Sequence, residues 1–250
     1  MPAKKHISLL LLLLVLLGGF FGAQWLLSDR PPLPEAIVAL ESDELVRVTQ
    51  DPWLTFEPAQ YTPDTGLIFY PGGRIDPRGY ATLMRAIATE GYLVVVPEMP
   101  LNTAAFRPNA ADEIMAHHHT ISRWVIAGHS IGGIMAAQFA STHPESVAGL
   151  AMWAAYPANN ADLSHSDVSA ALIYGSHDPR VDDESIDKRR QLLADDTTIV
   201  RIDGGDHHQF GSYEIAPEDN HATIDRASQQ QQITQATLRL LESAAPPAGG

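Results

Sequence analysis

Between Arg123 and Gly133 the chain reads Arg-Trp-Val-Ile-Ala-Gly-His-Ser-Ile-Gly-Gly, an apolar run broken at Gly128-His-Ser-Ile-Gly132 and followed by a helix-like segment. This G-x-S-x-G pattern stands in the strand, sharp turn and helix setting that a nucleophile elbow needs, and it nominates Ser130 as a covalent catalyst. A side chain at Gly128 or Gly132 would collide with neighbouring backbone, which explains both glycines. The helix starting at Ile131 aims its N–H groups and the positive end of its dipole at the reacting centre, so the Ile131 N–H is expected to help hold an oxyanion.

A serine hydroxyl is a weak nucleophile near neutral pH. It needs a base within hydrogen-bond reach, and the base needs an orienting acid. For an elbow of this kind the expected chain order is Ser, then Asp or Glu, then His, each after a strand end. Asp178, in Gly175-Ser-His-Asp-Pro-Arg-Val181, follows the apolar run Ala170–Tyr174 and fits the acid. Asp162 and Asp167 are rivals, but they precede that run. His207, in Gly204-Gly-Asp-His-His-Gln-Phe210, follows the run Thr198–Ile202 and fits the base, with His208 as its rival. Asp206 reads as a turn residue or a partner of that histidine. The second oxyanion donor is expected in Pro71-Gly-Gly-Arg74, with the N–H of Gly73 preferred and that of Arg74 as the alternative.

Other histidines are set aside. Consecutive residues on a helix point in different directions, so His117-His118-His119 reads as a solvated helix end and not as a metal cluster. Asp206-His207-His208 lacks a third ligand at sensible spacing. His129 adjoins Ser130, so its side chain should diverge from the serine's and serve packing or support. No metal or organic cofactor is expected.

These residues need a scaffold. Gly66–Tyr70, Leu93–Val96, Trp124–Ala127, Val147–Trp153, Ala170–Tyr174 and Thr198–Ile202 read as strands. The continuous apolar run of Leu93–Val96 suits a parallel strand covered on both faces. Helices are expected after Asp76-Pro77, near Ala110–His118, from the elbow to about Thr142, around Asp183–Leu193 and over Asp225–Leu241. The alternation predicts an α/β fold, a mostly parallel central sheet with helices on both faces. Ahead of it, Ala36–Leu40 and Leu45–Thr49 read as a first hairpin, followed by a short strand at Trp53–Phe56. The connection from Trp153 to Ala170 is short, which predicts little or no lid. Trp153 and Tyr156 are read either as lining an acyl pocket or as ordinary core aromatics.

Residues 1–30 form a separate object. Lys4, Lys5 and His6 precede an apolar run from Ile7 to Leu27, about the length needed to cross a bilayer. Cleavage after Ala23 or Gly22 would put Phe21 or Phe20 where a small residue is wanted, so a retained anchor is favoured over a cleaved signal. Lipoprotein processing is excluded, because the chain has no cysteine. The basic N-terminus points to an extracytoplasmic domain, secreted if the segment is removed. Pro31-Pro-Leu-Pro34 reads as a stiff spacer, residues 31–243 as one catalytic domain and 244–250 as a flexible tail. The net charge of −14 argues against nucleic acid as a partner.

With elbow, acid, base and oxyanion loop in order, the chain resembles the α/β-hydrolase superfamily, and most closely its bacterial fold-5 group. Phe69-Tyr-Pro-Gly-Gly-Arg-Ile-Asp-Pro77, Pro97-Glu-Met-Pro-Leu-Asn102 and Gly204-Gly-Asp-His-His-Gln-Phe-Gly211 carry the closer likeness. The resemblance covers roughly residues 60–242. It implies a central, mostly parallel sheet and a Ser130–His207–Asp178 hydrolase working through an acyl-enzyme; the short Trp153–Ala170 connection suits small carboxylic esters, and the N-terminal segment points to the bacterial cell envelope. Asp206 and His208 depart from that group, which usually has Asn and a small residue there. Two alternatives accompany this reading: an acyltransferase on the same scaffold, and a membrane-tethered binding protein without catalysis.

Overall fold

A computed structural model describes residues 29–244. The expected anchor and the tail beyond Ala244 lie outside the described residues, and among those described no helix is long and apolar enough to cross a membrane. Eight strands build one sheet: β1 (Val46–Thr49), β2 (Leu54–Pro58), β3 (Thr65–Tyr70), β4 (Leu93–Val96), β5 (Arg123–His129), β6 (Gly149–Trp153), β7 (Ser169–Gly175) and β8 (Thr198–Ile202). Their spatial order is β1-β2-β4-β3-β5-β6-β7-β8. The β1–β2 and β2–β4 pairs are antiparallel, and every pair from β4 to β8 is parallel.

Strand β3 lies between β4 and β5, so the chain leaves β3 for the neighbour on one side and then crosses over to the neighbour on the other, reversing the direction of winding. Ligand crevices of open α/β sheets form at such a reversal, outside the carboxyl ends of the strands. The loops after β3 and β5 carry Gly73 and Ser130, respectively.

The fully apolar strands bury both faces, as their composition requires. Alternate residues feed two separate cores. On one face Leu67, Phe69, Val125 and Trp153 pack with α2 (Ala81–Thr89) and α6 (Arg226–Ala244). On the other, Ile68, Tyr70, Ile126 and Met152 pack with α3 (Ala110–His117), α4 (Ile131–Thr142) and α5 (Asp183–Arg189). The small buried residues Gly132, Gly133, Ala136 and Ala140 let α4 settle close on the sheet.

Two expectations about the N-terminal part need correction. Ala36–Leu40 is not a strand: Pro34–Val38 forms a single helical turn, α1. Pro34 opens it at a position where its missing N–H costs nothing, and Glu35 suits the first-turn dipole. Ile37 and Val38, which made the segment look like a strand, stay exposed. The hairpin partner of β1 is instead β2, with Val46 opposite Pro58.

The Pro31–Pro34 segment is likewise no free spacer. Isolated bridges join Arg30 to Ile75 and Pro32 to Tyr213. The Arg30 N–H donates to the Arg74 carbonyl at 2.9 Å, and the Glu214 N–H donates to the Pro31 carbonyl at 2.9 Å. Prolines keep their carbonyl acceptors, so a proline-rich segment can be stitched to a surface from one side.

The connection between β6 and β7, residues 154–168, holds no helix or strand. The sheet edge above Ser130 is therefore not capped by an inserted lid from that connection.

Candidate active site

Ser130 sits between β5 and α4 with φ 54° and ψ −123°, a backbone region costly for a residue with a side chain. Three features hold it there. Its N–H donates to the Trp153 carbonyl at 2.9 Å. A Cβ on Gly128 would lie 2.4 Å from the Gly132 backbone, and one on Gly132 would lie 2.1 Å from the Tyr70 carbonyl oxygen. Neither contact is possible for any other residue, so the two flanking glycines are fixed by backbone crowding around the turn.

The loops after β7 and β8 are stitched to one another. His177 N–H donates to the Gly205 carbonyl at 2.8 Å, and Gly204 N–H donates to the Ser176 hydroxyl at 2.8 Å. A Cβ at Gly175 would lie 2.3 Å from the Gly205 backbone, so glycine is what lets these loops touch. This contact brings Asp178 and His207 together although they are far apart in the chain.

The three side chains nominated from the sequence meet. His207 Nε2 lies 3.1 Å from Ser130 Oγ. His207 Nδ1 lies 2.7 Å from Asp178 Oδ2. The other Asp178 oxygen accepts the N–H groups of Arg180 at 2.8 Å and Val181 at 3.1 Å. A carboxylate only accepts, so neutral His207 carries its proton on Nδ1 and leaves Nε2 free to receive the Ser130 proton. Asp178 and His207 are buried and Ser130 is partly exposed, as a relay that meets substrate only at its outer end should be.

In the loop after β3 the two candidate oxyanion donors differ. Arg74 N–H donates to the Asn102 carbonyl at 2.7 Å, and Gly72 N–H donates to the Tyr80 hydroxyl at 3.0 Å. Among the described residues no protein acceptor takes the N–H of Gly73 or of Ile131. Gly73 packs on Ile131, where a Cβ would come within 3.1 Å of the Ile131 side chain. The Arg74 alternative is therefore set aside, because its donor is already committed.

One family model, described as the alpha/beta hydrolase family, matches residues 66–232. The chain belongs to the α/β-hydrolase family. Compared with curated protein sequences, the hydrolase has no significant match. Among solved structures it resembles Thermogutta terrifontis esterase 2 in its apo form, at 15% identity and a TM-score of 0.59, over 81% of this chain and 96% of that one. The same esterase phosphonylated by cyclosarin matches at 14% identity and a TM-score of 0.58, over 81% and 96%. An α/β hydrolase enzyme, MGS-MChE2, from the metagenome of lagoon sediments of Mar Chica, Morocco, matches at 14% identity and a TM-score of 0.58, over 79% and 98%. At such identities the likeness speaks for the fold.

His129, expected from the sequence to serve packing or support, is joined beside the site by Tyr80, which the sequence did not nominate. His129 diverges from Ser130 and is fully buried, stacked on Phe210 with ring centroids 5.5 Å apart. Its Nε2 lies 3.0 Å from the His207 carbonyl, which only accepts, so Nε2 carries the proton. Its Nδ1 then accepts from the Tyr80 hydroxyl at 2.8 Å. Tyr80 in turn accepts from Gly72. The chain Gly72, Tyr80, His129, His207 thus ties the loop after β3 to the backbone of His207. Burial, reinforced by the neighbouring His207 and His208, holds the His129 pKa well below its ordinary value, which keeps this single-proton arrangement at neutral pH. The sequence offered only an aromatic on the buried face of a helix; its hydroxyl partner is set by tertiary contact.

Tyr80→Phe keeps the ring that packs on Phe69 but strands two buried polar groups, Gly72 N–H and His129 Nδ1. The expected cost is about 1–3 kcal/mol of folding stability, read as a lower urea midpoint at unchanged slope. A midpoint equal to that of the parent protein would show that the chain of bonds carries no weight.

Asp206 is a turn residue. Its Oδ1 accepts from the N–H groups of His208 and Gln209, both at 2.9 Å, and its Oδ2 accepts from His221 at 3.0 Å. Trp153 belongs to the core, fully buried with its Nε1–H donated to Thr237 at 3.2 Å, and does not line the cavity over Ser130. Tyr156 lies off that cavity as well, with Arg189 over its ring at 5.5 Å. His118 is wedged between Trp53 and Trp124, and among the described residues no group of side chains is arranged to hold a metal ion.

Proposed function

We propose that the protein is a serine hydrolase of carboxylic esters. The observation that carries the reading is the relay from Ser130 Oγ to His207 Nε2 at 3.1 Å and from His207 Nδ1 to Asp178 at 2.7 Å, ending on a strained elbow. The N–H groups of Gly73 and Ile131, uncommitted among the described residues, support it. So does the fold it shares with Thermogutta terrifontis esterase 2.

In this reading Ser130 Oγ bonds to the ester carbonyl carbon while its proton passes to His207 Nε2, and the carbonyl electron pair moves onto oxygen. The Gly73 and Ile131 N–H groups stabilise that oxyanion; losing one such donor costs about 2.7–4 kcal/mol of transition-state stabilisation. Collapse of the intermediate breaks the bond to the alcohol oxygen, which leaves with the proton from His207. Water then attacks the acyl-enzyme, giving one proton to His207 as it does so. The second tetrahedral intermediate collapses, Ser130 recovers the proton, and the carboxylic acid departs. Asp178 holds the imidazole in the required tautomer and stabilises the imidazolium that forms twice.

The cavity over Ser130 holds about 440 Å3 and is not capped by the short β6–β7 connection. It suits short acyl groups. Purified protein is expected to hydrolyse 4-nitrophenyl butyrate with a burst of nitrophenol equivalent to the enzyme present. Absence of turnover from folded protein, across acetate to octanoate esters, would remove the ester-hydrolase reading.

A further inference from the structure

The charged side chains that line the hollow over Ser130 have the sign opposite to that of the chain. The sequence carries 30 acidic residues against 16 lysines and arginines. Yet the cavity that contains Ser130 and His207 is lined by Arg30, Arg74 and Arg180, and by no carboxylate. The three arginines come from separate places: the segment ahead of α1, the oxyanion loop and the loop of Asp178. On a chain this acidic, their convergence on one hollow needs a reason.

For Arg30 and Arg180, local partners do not supply it in full. Arg30 pairs with Asp219 at 2.9 Å, and that carboxylate lies outside the cavity lining. Arg180 is exposed, and among the described residues no carboxylate lies within ion-pair distance of it. The Arg180 backbone N–H is already held by Asp178, which fixes where its side chain leaves the loop. His208, also in the lining, has its pKa pushed down to about 4, by burial first and then by His207, Arg30 and Arg180. It is therefore neutral at pH 7, and its Nδ1 faces Arg30 Nη1 at 3.4 Å. The positive character of the hollow thus rests on guanidinium groups, which stay charged at any working pH and match the planar oxygens of a carboxylate or phosphate.

We propose that this cavity is an anion subsite and that the substrate is an ester bearing a carboxylate or phosphate group, held by Arg180 and Arg30 while Ser130 attacks the ester carbonyl. The anionic group makes and breaks no bond; it orients the ester and draws it into a positive cleft. The proposal rests on the reading of Ser130 as nucleophile and narrows the substrates of that same site.

Two esters matched in chain length test it, 4-nitrophenyl hemiglutarate and 4-nitrophenyl pentanoate. With the full-length protein, kcat/KM for the hemiglutarate is expected to exceed that for the pentanoate by about tenfold or more, and added salt should shrink the ratio. In Arg180→Gln the ratio should fall about tenfold. A ratio near one, or a ratio indifferent to Arg180→Gln, overturns the proposal. A second measurement does not depend on turnover: calorimetric titration of Ser130→Ala with glutarate and, separately, with inorganic phosphate. Binding of either anion that weakens about tenfold on adding Arg180→Gln supports the subsite, and the better-bound anion identifies the group. No binding of either overturns it. Loss of all ester turnover with anion binding intact would instead strike the nucleophile reading alone.

Discussion

Ser130→Ala, His207→Ala and the double variant are each expected to lower kcat on 4-nitrophenyl butyrate by about the same factor, on the order of 10^6. The equality is the informative part. In the proposed relay Ser130 Oγ and His207 Nε2, 3.1 Å apart, share one proton transfer. Without the imidazole the hydroxyl keeps its proton, and without the hydroxyl the imidazole has nothing to activate. A second deletion therefore removes nothing further. What rate survives over water comes from the Gly73 and Ile131 donors and from binding, which all three variants retain. Alanine at 130 inherits the same positive φ of 54°, so the Ser130 variant tests chemistry without relaxing the turn. Losses that multiply in the double variant would mean that the two residues act independently, and the relay would be wrong.

Asp178→Asn is expected to reduce kcat about 10^4-fold while leaving the fold intact. The asparagine carbonyl oxygen can still accept from the Arg180 and Val181 N–H groups, so the loop keeps its shape. Its amide then points N–H at His207 Nδ1, where the carboxylate had accepted. The imidazole answers by moving its proton to Nε2, which can no longer take the proton of Ser130. An unchanged melting temperature with a large fall in kcat is the expected result, read by calorimetry and steady-state kinetics. A loss of less than about tenfold would remove Asp178 from the relay, because a merely structural carboxylate has no reason to control the tautomer. Asp206 is not positioned to replace it: both its oxygens are occupied by backbone N–H groups of its own turn and of His221.

The parts of the site that could be read from the sequence are those whose residue types are forced locally. Gly128 and Gly132 are demanded by backbone that passes within van der Waals distance, so the elbow leaves a signature at fixed spacing. Asp178 and His207 each follow a strand at a polar, glycine-containing turn, which is where the carboxyl edge of a parallel sheet places its loops. The parallel strands were legible for a related reason: burial on both faces removes polar residues from them.

What escaped is set by tertiary contact. Arg30 belongs to a proline-rich segment with no local pattern, and tertiary contacts bring it to the cavity, among them the bridges of Arg30 to Ile75 and of Pro32 to Tyr213. Tyr80 and Trp153 look alike in sequence, as aromatics on a buried face. Only the fold shows that the Tyr80 hydroxyl holds His129 while Trp153 turns into the core. Ala36–Leu40 reads as a strand in sequence because an apolar run too short to show a period fits strand and helix equally, and the proline ahead of it decides for the helix. The choice between Gly73 and Arg74 as oxyanion donor also needed three dimensions, since it depends on the Asn102 carbonyl claiming one of the two N–H groups.

The nucleophilic role of Ser130 is tested most directly by reacting the folded protein with a fluorophosphonate and locating the adduct by peptide mass spectrometry. One phosphonyl group on Ser130, absent in Ser130→Ala and greatly slowed in His207→Ala, is the predicted outcome. Modification of a different residue, or none at all while the protein remains folded, would contradict it.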